Sequence, residues 1–185
     1  MGYFETVEDN WKIFKVDDDY RFVLAVVLGQ VLVYFFCVGY AGSPRSKLFT
    51  QEFMDENFKA EHETSGLTDP LKKGGYPDVG SGRYTMATGY KGWYDFNIAQ
   101  RVHIQYMEAI TQMLFQQLFA GLYWPVPTAI IGIIYFIGRI VYTAGYIKGG
   151  PKGRLLGALM TLPIQMMMPI YTIVSLGYLA SNKNT

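Results

Sequence analysis

Arg101, His103, Gln105, Glu108 and Gln112 all fall inside FNIAQRVHIQYMEAITQMLFQQLFAGLYW, Phe96 to Trp124, a stretch whose apolar length otherwise suits a bilayer span. On a helix advancing about 100° per residue, Gln105, Glu108 and Gln112 lie within about 40° of Arg101, so the four form one polar stripe. A second stripe follows in Tyr135, Arg139, Tyr142 and Tyr146, at spacings of four, three and four. Beyond it, YIKGGPKGRLLGA places Lys148, Lys152 and Arg154 at one membrane face. An acid, several cations, amides and phenols in a bilayer can pair with one another, line a wet cavity or hold a polar ligand. Each charge at a helix centre costs about 3 kcal/mol to insert, so Arg101, Glu108 and Arg139 left in lipid would cost on the order of 9 kcal/mol. That rivals the stability of a whole domain. The plainest structural solution is a Glu108–Arg139 ion pair that cements two helices. Such a pair needs neither the amides and phenols around it nor a cationic rim, and their presence favours a bound ligand.

The elements that must position these groups are membrane spans. Of 185 residues, half are hydrophobic, 16% aromatic and only 17% charged, a profile that points away from a soluble domain. A net charge of +1 with no basic cluster argues against nucleic acid as a partner. Two histidines and one cysteine, Cys37, offer no metal-ligand set, and Cys37 in its apolar run reads as a small buried hydrophobe. Phe22 to Ala41 is an uncharged twenty-residue run, long enough to cross as a helix. Pro127–Ile147, with one charge, and Leu155–Ala180, uncharged and interrupted by Pro163 and Pro169, make two more spans, and the striped stretch is the second in chain order. The expected fold is an all-α membrane protein, a bundle of four transmembrane helices.

Divided accordingly, residues 1–21 form an interfacial amphipathic segment, 22–42 the first span, 43–95 a long inserted loop, 96–180 spans two to four, and 181–185 a tail. The acidic start MGYFETVEDN lacks the basic and apolar order of a signal peptide, although it fits the loose N-myristoylation pattern. The loop is expected to hold a short amphipathic helix, with Leu48, Phe49, Phe53, Met54 and Phe58 on one face, followed by an irregular arm rich in Gly and Tyr. Ten Lys and Arg in the two loops, against four on the side of the termini, orient those loops toward the cytosol or matrix. Trp93, Tyr123 and Trp124 sit at expected span ends, as an aromatic belt would.

With these residues laid out, FNIAQRVHIQYMEAI resembles the signature of the MAPEG superfamily, the membrane-associated proteins of eicosanoid and glutathione metabolism, in its microsomal glutathione transferase subtype. GRIVYTAGYIKGGPKGRLLGA is similar to the same subtype's Gly-Arg-x-x-Tyr-x-x-Gly-Tyr run and the Pro, Arg and Gly-Ala positions after it. The resemblance implies a homotrimer that holds glutathione at its subunit interfaces. Arg101, Gln105, Glu108, Tyr142 and Tyr146 would bind the tripeptide, His103 and Arg139 would support it, and Arg154 would stabilise the thiolate. A thiol of pKa about 8.5 is only about 3% ionised at pH 7, and a cation that lowers it by about two units makes it mostly thiolate. The implied chemistry is transfer or peroxidase turnover on a lipophilic electrophile or lipid hydroperoxide, drawn from the membrane lipid of the endoplasmic reticulum or mitochondrion. Two departures stand out: Gln105 replaces the subtype's Asn, and only Arg45 and Lys47 follow the first span where the family carries a dense basic cluster. They keep open a second reading, an idle accessory subunit of a large membrane complex.

Overall fold

A computed structural model describes residues 17–181; the interfacial segment before residue 17, the myristoylation pattern and the last four residues lie outside them. Regular structure among the described residues is helical: α1 Tyr20–Leu48, α2 Gln51–Thr64, α3 Arg83–Ala87, α4 Gly89–Gly121, α5 Pro125–Gly153 and α6 Leu155–Ser181. Only α1, α5 and α6 are both long and apolar enough to cross a membrane. The 33-residue α4 has the length but, with its polar stripe, not the apolarity, so three helices meet that standard where the sequence led us to expect four.

The long helices pack together by burying narrow seams. In α1 the buried positions are Val23, Gln30, Cys37, Ala41 and Arg45, spaced seven, seven, four and four, which keeps them on one stripe. Around them Phe22, Leu28, Leu32, Phe35 and Phe36 are 47–64% exposed. Such an outward apolar surface suits hydrocarbon rather than water. α1 also runs past the expected boundary at residue 42, through Pro44 to Leu48. Proline forfeits its own N–H bond and its ring crowds the carbonyl four residues back, a cost that a helix anchored further on can absorb.

That anchor is Arg45. Its guanidinium donates from Nη1 to the Gly74 carbonyl at 2.9 Å and from Nη2 to the Asp78 carbonyl at 2.6 Å, and lies over the rings of Tyr76 (4.2 Å) and Phe96 (5.0 Å). The loop is thereby tied to the end of α1. α2 starts where the Thr50 hydroxyl accepts from the Phe53 N–H at 3.2 Å. Its apolar side joins Phe49, Met54 and Phe96 in a small core. Gly75, at φ +65°, lies against the Phe49 ring where a Cβ would come within 2.5 Å. The stretch read as irregular contains α3, and α4 begins at Gly89, seven residues before Phe96. Asp78 organises the turn between: its carboxylate accepts N–H bonds from Gly80 (2.8 Å), Gly82 (2.9 Å) and Thr85 (2.7 Å). Burial pushes the Asp78 carboxyl up, but these bonds outweigh it and hold the group below its ordinary value.

Inside the bundle, polar groups answer one another. Gln30 Nε2 donates to Gln117 Oε1 at 3.0 Å, and Gln117 Nε2 returns a bond to Gln30 Oε1 at 3.1 Å. The Tyr106 hydroxyl donates to the Gln30 carbonyl at 2.9 Å. Both amides are fully buried, and the reciprocal pair removes the penalty of placing them there.

Gln117→Leu should leave Gln30 Oε1 without a donor and its Nε2 with only the Gly132 carbonyl at 3.3 Å, and cost about 1–2 kcal/mol, whereas the double change Gln30→Leu with Gln117→Leu should recover most of it; thermal unfolding in detergent reads both. Because the Asp78 value is depressed, its stabilisation is complete above the unfolded carboxylate value, near 3.9, and is lost as pH falls through the lower folded one. Proteolytic nicking between residues 66 and 82, followed from pH 6 to pH 3, should rise at the acid end in the wild type and already be high at pH 6 in Asp78→Asn.

Candidate functional site

The groove that gathers the polar stripes is set by glycines. α5 loses helical geometry at Gly150 (φ 58°, ψ −146°), directly before Pro151, and the chain turns back into α6. A Cβ on Gly145 would strike the Gly153 carbonyl, and one on Gly153 would strike that of Gly145. One turn into α6, a Cβ on Gly157 would strike the backbone N and Cα of Tyr142, and one on Gly138 would come within 2.8 Å of the Thr161 methyl. Gly138 and Gly157 thus let α5 and α6 meet nearly backbone to backbone, and Gly145 and Gly153 let the two parts of α5 do so across its kink, as small residues allow in membrane bundles. Arg154, at the turn, is thereby laid against α5.

Its Nη1 donates to the Tyr142 hydroxyl at 3.2 Å, and its guanidinium stands 5.7 Å from the Tyr146 ring centre. Tyr142 and Tyr146 stack at 6.2 Å. The Tyr142 hydroxyl donates in turn to Gln105 Oε1. Arg154, Tyr142 and Gln105 thus form one hydrogen-bonded series that crosses from the turn before α6 over α5 to α4.

The groove beside this series has a volume of about 500 Å³. Gln105, Glu108 and Gln112 of α4 line it with Arg139 and Tyr142 of α5, Arg154 at the turn and Gln165 of α6. Leu155, Ala158 and Leu162 supply an apolar margin. A cation, a carboxylate and neutral donors with an apolar edge can hold a small zwitterion beside a lipophilic molecule. Thr161 and Gln165 went unremarked in the sequence; their signal was two polar residues four apart in an otherwise apolar last span.

Not every expected residue is here. Arg101 is exposed and stands outside the groove lining, and His103 leans the other way, toward the Tyr34 hydroxyl at 3.4 Å. Tyr146 is buried behind Tyr142 and reaches the groove only through that ring. The Glu108–Arg139 pair does not form: among the described residues the ion pairs are Arg83–Glu61 and Lys91–Asp95, both between exposed side chains. Arg139 is 3% exposed and held over the rings of Tyr106 (4.5 Å) and Tyr142 (4.8 Å). The front of the FNIAQR signature is structural. Phe96 meets Phe49 edge-on at 5.2 Å, Asn97 donates to the Gly80 carbonyl at 2.8 Å, and Gln100 donates to the Ala41 carbonyl at 3.2 Å. Of the basic residues after the first span, Arg45 is spent on the loop and unavailable to a ligand.

Long apolar helices sheathed in exposed hydrophobic side chains, with a polar groove sunk between them, define an integral membrane protein. The model of the MAPEG family matches residues 22–174, and the chain belongs to that family. Membership points to membrane-bound chemistry of glutathione or eicosanoids.

Gly157→Ala should push α6 off Tyr142 and lower the thermal midpoint by several degrees, whereas Gly177→Ala, whose Cβ meets nothing within 4 Å, should leave it unchanged. Equal midpoints for the two variants would show that the helix contact does not set the packing.

Proposed function

We propose that this chain is a glutathione-dependent transferase or peroxidase of the microsomal glutathione transferase subtype, acting on lipophilic electrophiles or lipid hydroperoxides. The observation that carries the reading is the series from Arg154 through Tyr142 to Gln105, set along a groove that Glu108 also lines. Glutathione is a zwitterion with one thiol. Glu108 would accept from its ammonium, Gln105 and Tyr142 would take its peptide groups, and Arg154 would favour the thiolate by its charge. The apolar margin at Leu155 and Leu162 would admit the second substrate from the bilayer.

The same reading makes α4 a fourth span and the working unit a homotrimer. Arg101, Glu108 and Gln112 are exposed on a single chain, and in hydrocarbon that exposure is too costly to persist. A neighbouring copy packed over the stripe would cover it, with Arg101 reaching a ligand carboxylate from the rim and His103 and Tyr146 holding the lining side chains in place. The basic loops would face the cytosol or matrix.

One observation favours the accessory-subunit reading. Arg45 is committed to the loop, and that loop and the start of α4 expose Leu67, Tyr76, Val79, Met86 and Tyr90 at 64–77%, a surface that neighbouring subunits could cover. Purification from the native membrane separates the two. A homotrimer that binds glutathione by calorimetry supports the enzyme; no binding, with many stoichiometric partners, supports the subunit.

For the enzyme, Arg154→Ala should keep glutathione affinity within about threefold and lose conjugation by about twentyfold or more, the ratio of thiolate fractions with and without the cation. Glu108→Ala should weaken binding about tenfold, the scale of one charge-assisted bond. Wild-type turnover in both variants would remove these roles.

A further inference from the structure

A second groove runs between α1 and α5 and shares no lining residue with the polar one. Its volume is about 430 Å³, with Val33 and Phe36 of α1 on one side and Ile140, Thr143, Ala144 and Ile147 of α5 on the other. The accessible wall is wholly apolar. Thr143 does not interrupt it: the residue is 4% exposed, and its hydroxyl lies 3.9 Å from Cys37 Sγ inside the bundle. Ala144, a small exposed side chain set between Ile140 and Ile147 on one helical face, leaves the recess unfilled.

Lys148 closes one end of the groove. It is exposed, and neither ion pair among the described residues includes it. Since the wall is apolar, the aliphatic stem of Lys148 lines the groove and its ammonium stands beyond, as lysines at a membrane border are placed.

Length and depth select the occupant. From Ile140 to Lys148 the groove follows α5 for eight residues, about 12 Å along the axis. Ile140 is one residue past the middle of α5 and Lys148 five before its end, so the groove runs from mid-depth to the border on the loop side. One leaflet of hydrocarbon is about 15 Å deep, half of the bilayer core. An acyl chain ends at the midplane, whereas a neighbouring helix would continue through it. A chain lying in the recess supplies the contacts that an empty gap forfeits, and a negative headgroup at its border end neutralises Lys148.

We infer that this groove seats one anionic phospholipid of the loop-side leaflet, with an acyl chain between α1 and α5 and its phosphate on the Lys148 ammonium. The lipid joins the first span to the helix that carries Tyr142, and the site is independent of the glutathione reading.

The test releases the full chain from nanodiscs holding equal amounts of palmitoyl-oleoyl phosphatidylglycerol and phosphatidylcholine, and counts retained lipids by native mass spectrometry. The wild type should keep one phospholipid per chain and favour phosphatidylglycerol about fivefold, the worth of one lysine at a membrane surface. Lys148→Gln should keep the lipid and lose the preference, and Lys152→Gln, which removes a cation outside the groove, should leave the preference intact. Ala144→Phe fills the recess and should lose one lipid of either kind per chain; thermal midpoints verify that each variant folds. A wild type that retains no lipid or shows no preference, a preference that survives Lys148→Gln or falls equally with Lys152→Gln, or a lipid that survives Ala144→Phe would overturn the assignment. If Ala144→Phe instead splits an oligomer whose wild type retains no lipid, the groove belongs to a second copy of the chain and the lipid site falls.

Discussion

Where Gly157 lies on the backbone of Tyr142, α5 and α6 approach so closely that a Cβ would not fit, and the arrangement of the groove depends on that approach. Gly138 keeps the same interface close, and Gly145 and Gly153 let α5 close on itself across its kink. Only because the two helices touch there does an arginine at the head of α6 lie within hydrogen-bond distance of a tyrosine twelve residues earlier. In hydrocarbon the hydrophobic effect does not press helices together, so fit and hydrogen bonding must do it. Small residues supply the fit, and the Gln30–Gln117 exchange supplies bonds on the opposite side of the bundle.

The bundle handles its polar groups in two ways. Those that only hold helices together are closed on themselves, as with the two glutamines and the Tyr106 hydroxyl. Those around the groove are left incomplete: Glu108 and Gln112 stand exposed, and Arg139 keeps two buried donors without acceptors. A structural network gains nothing from an open end, since an unmade bond in a dry interior carries its full desolvation cost. The incompleteness therefore sets the groove apart from the rest of the bundle.

The loop is fastened to the bundle without disturbing its centre. Arg45 and Asp78 fold the segment from Thr50 to Thr88 over the ends of α1 and α4, with Phe96 and Asn97 as its floor. Residues at the front of the family-like signature thus serve the loop, and those from Gln105 onward serve the groove. The change of role occurs within ten residues of one helix because its successive faces meet different neighbours.

Much of this was legible in the sequence. Apolar runs marked α1, α5 and α6, and the spacing of Gln105, Glu108, Gln112, Arg139 and Tyr142 marked the groove, because helical periodicity is a local property that any stretch carries with it. The expected end of the first span at residue 42, the irregular arm that proved to contain α3, and the placing of Arg101 and His103 beside the other site residues did not survive folding as read. Each depended on contacts between residues far apart in the chain: Arg45 with Asp78, Phe49 with Phe96, His103 with Tyr34. Nor could spacing reveal that Arg139 stands over two tyrosine rings rather than against Glu108, since both partners lie at acceptable helical positions. Sequence alone determined which residues are polar within an apolar frame and on which helical face they lie. Tertiary structure decided which of them meet, because that depends on how closely the glycines let the helices approach and on which donors were already taken.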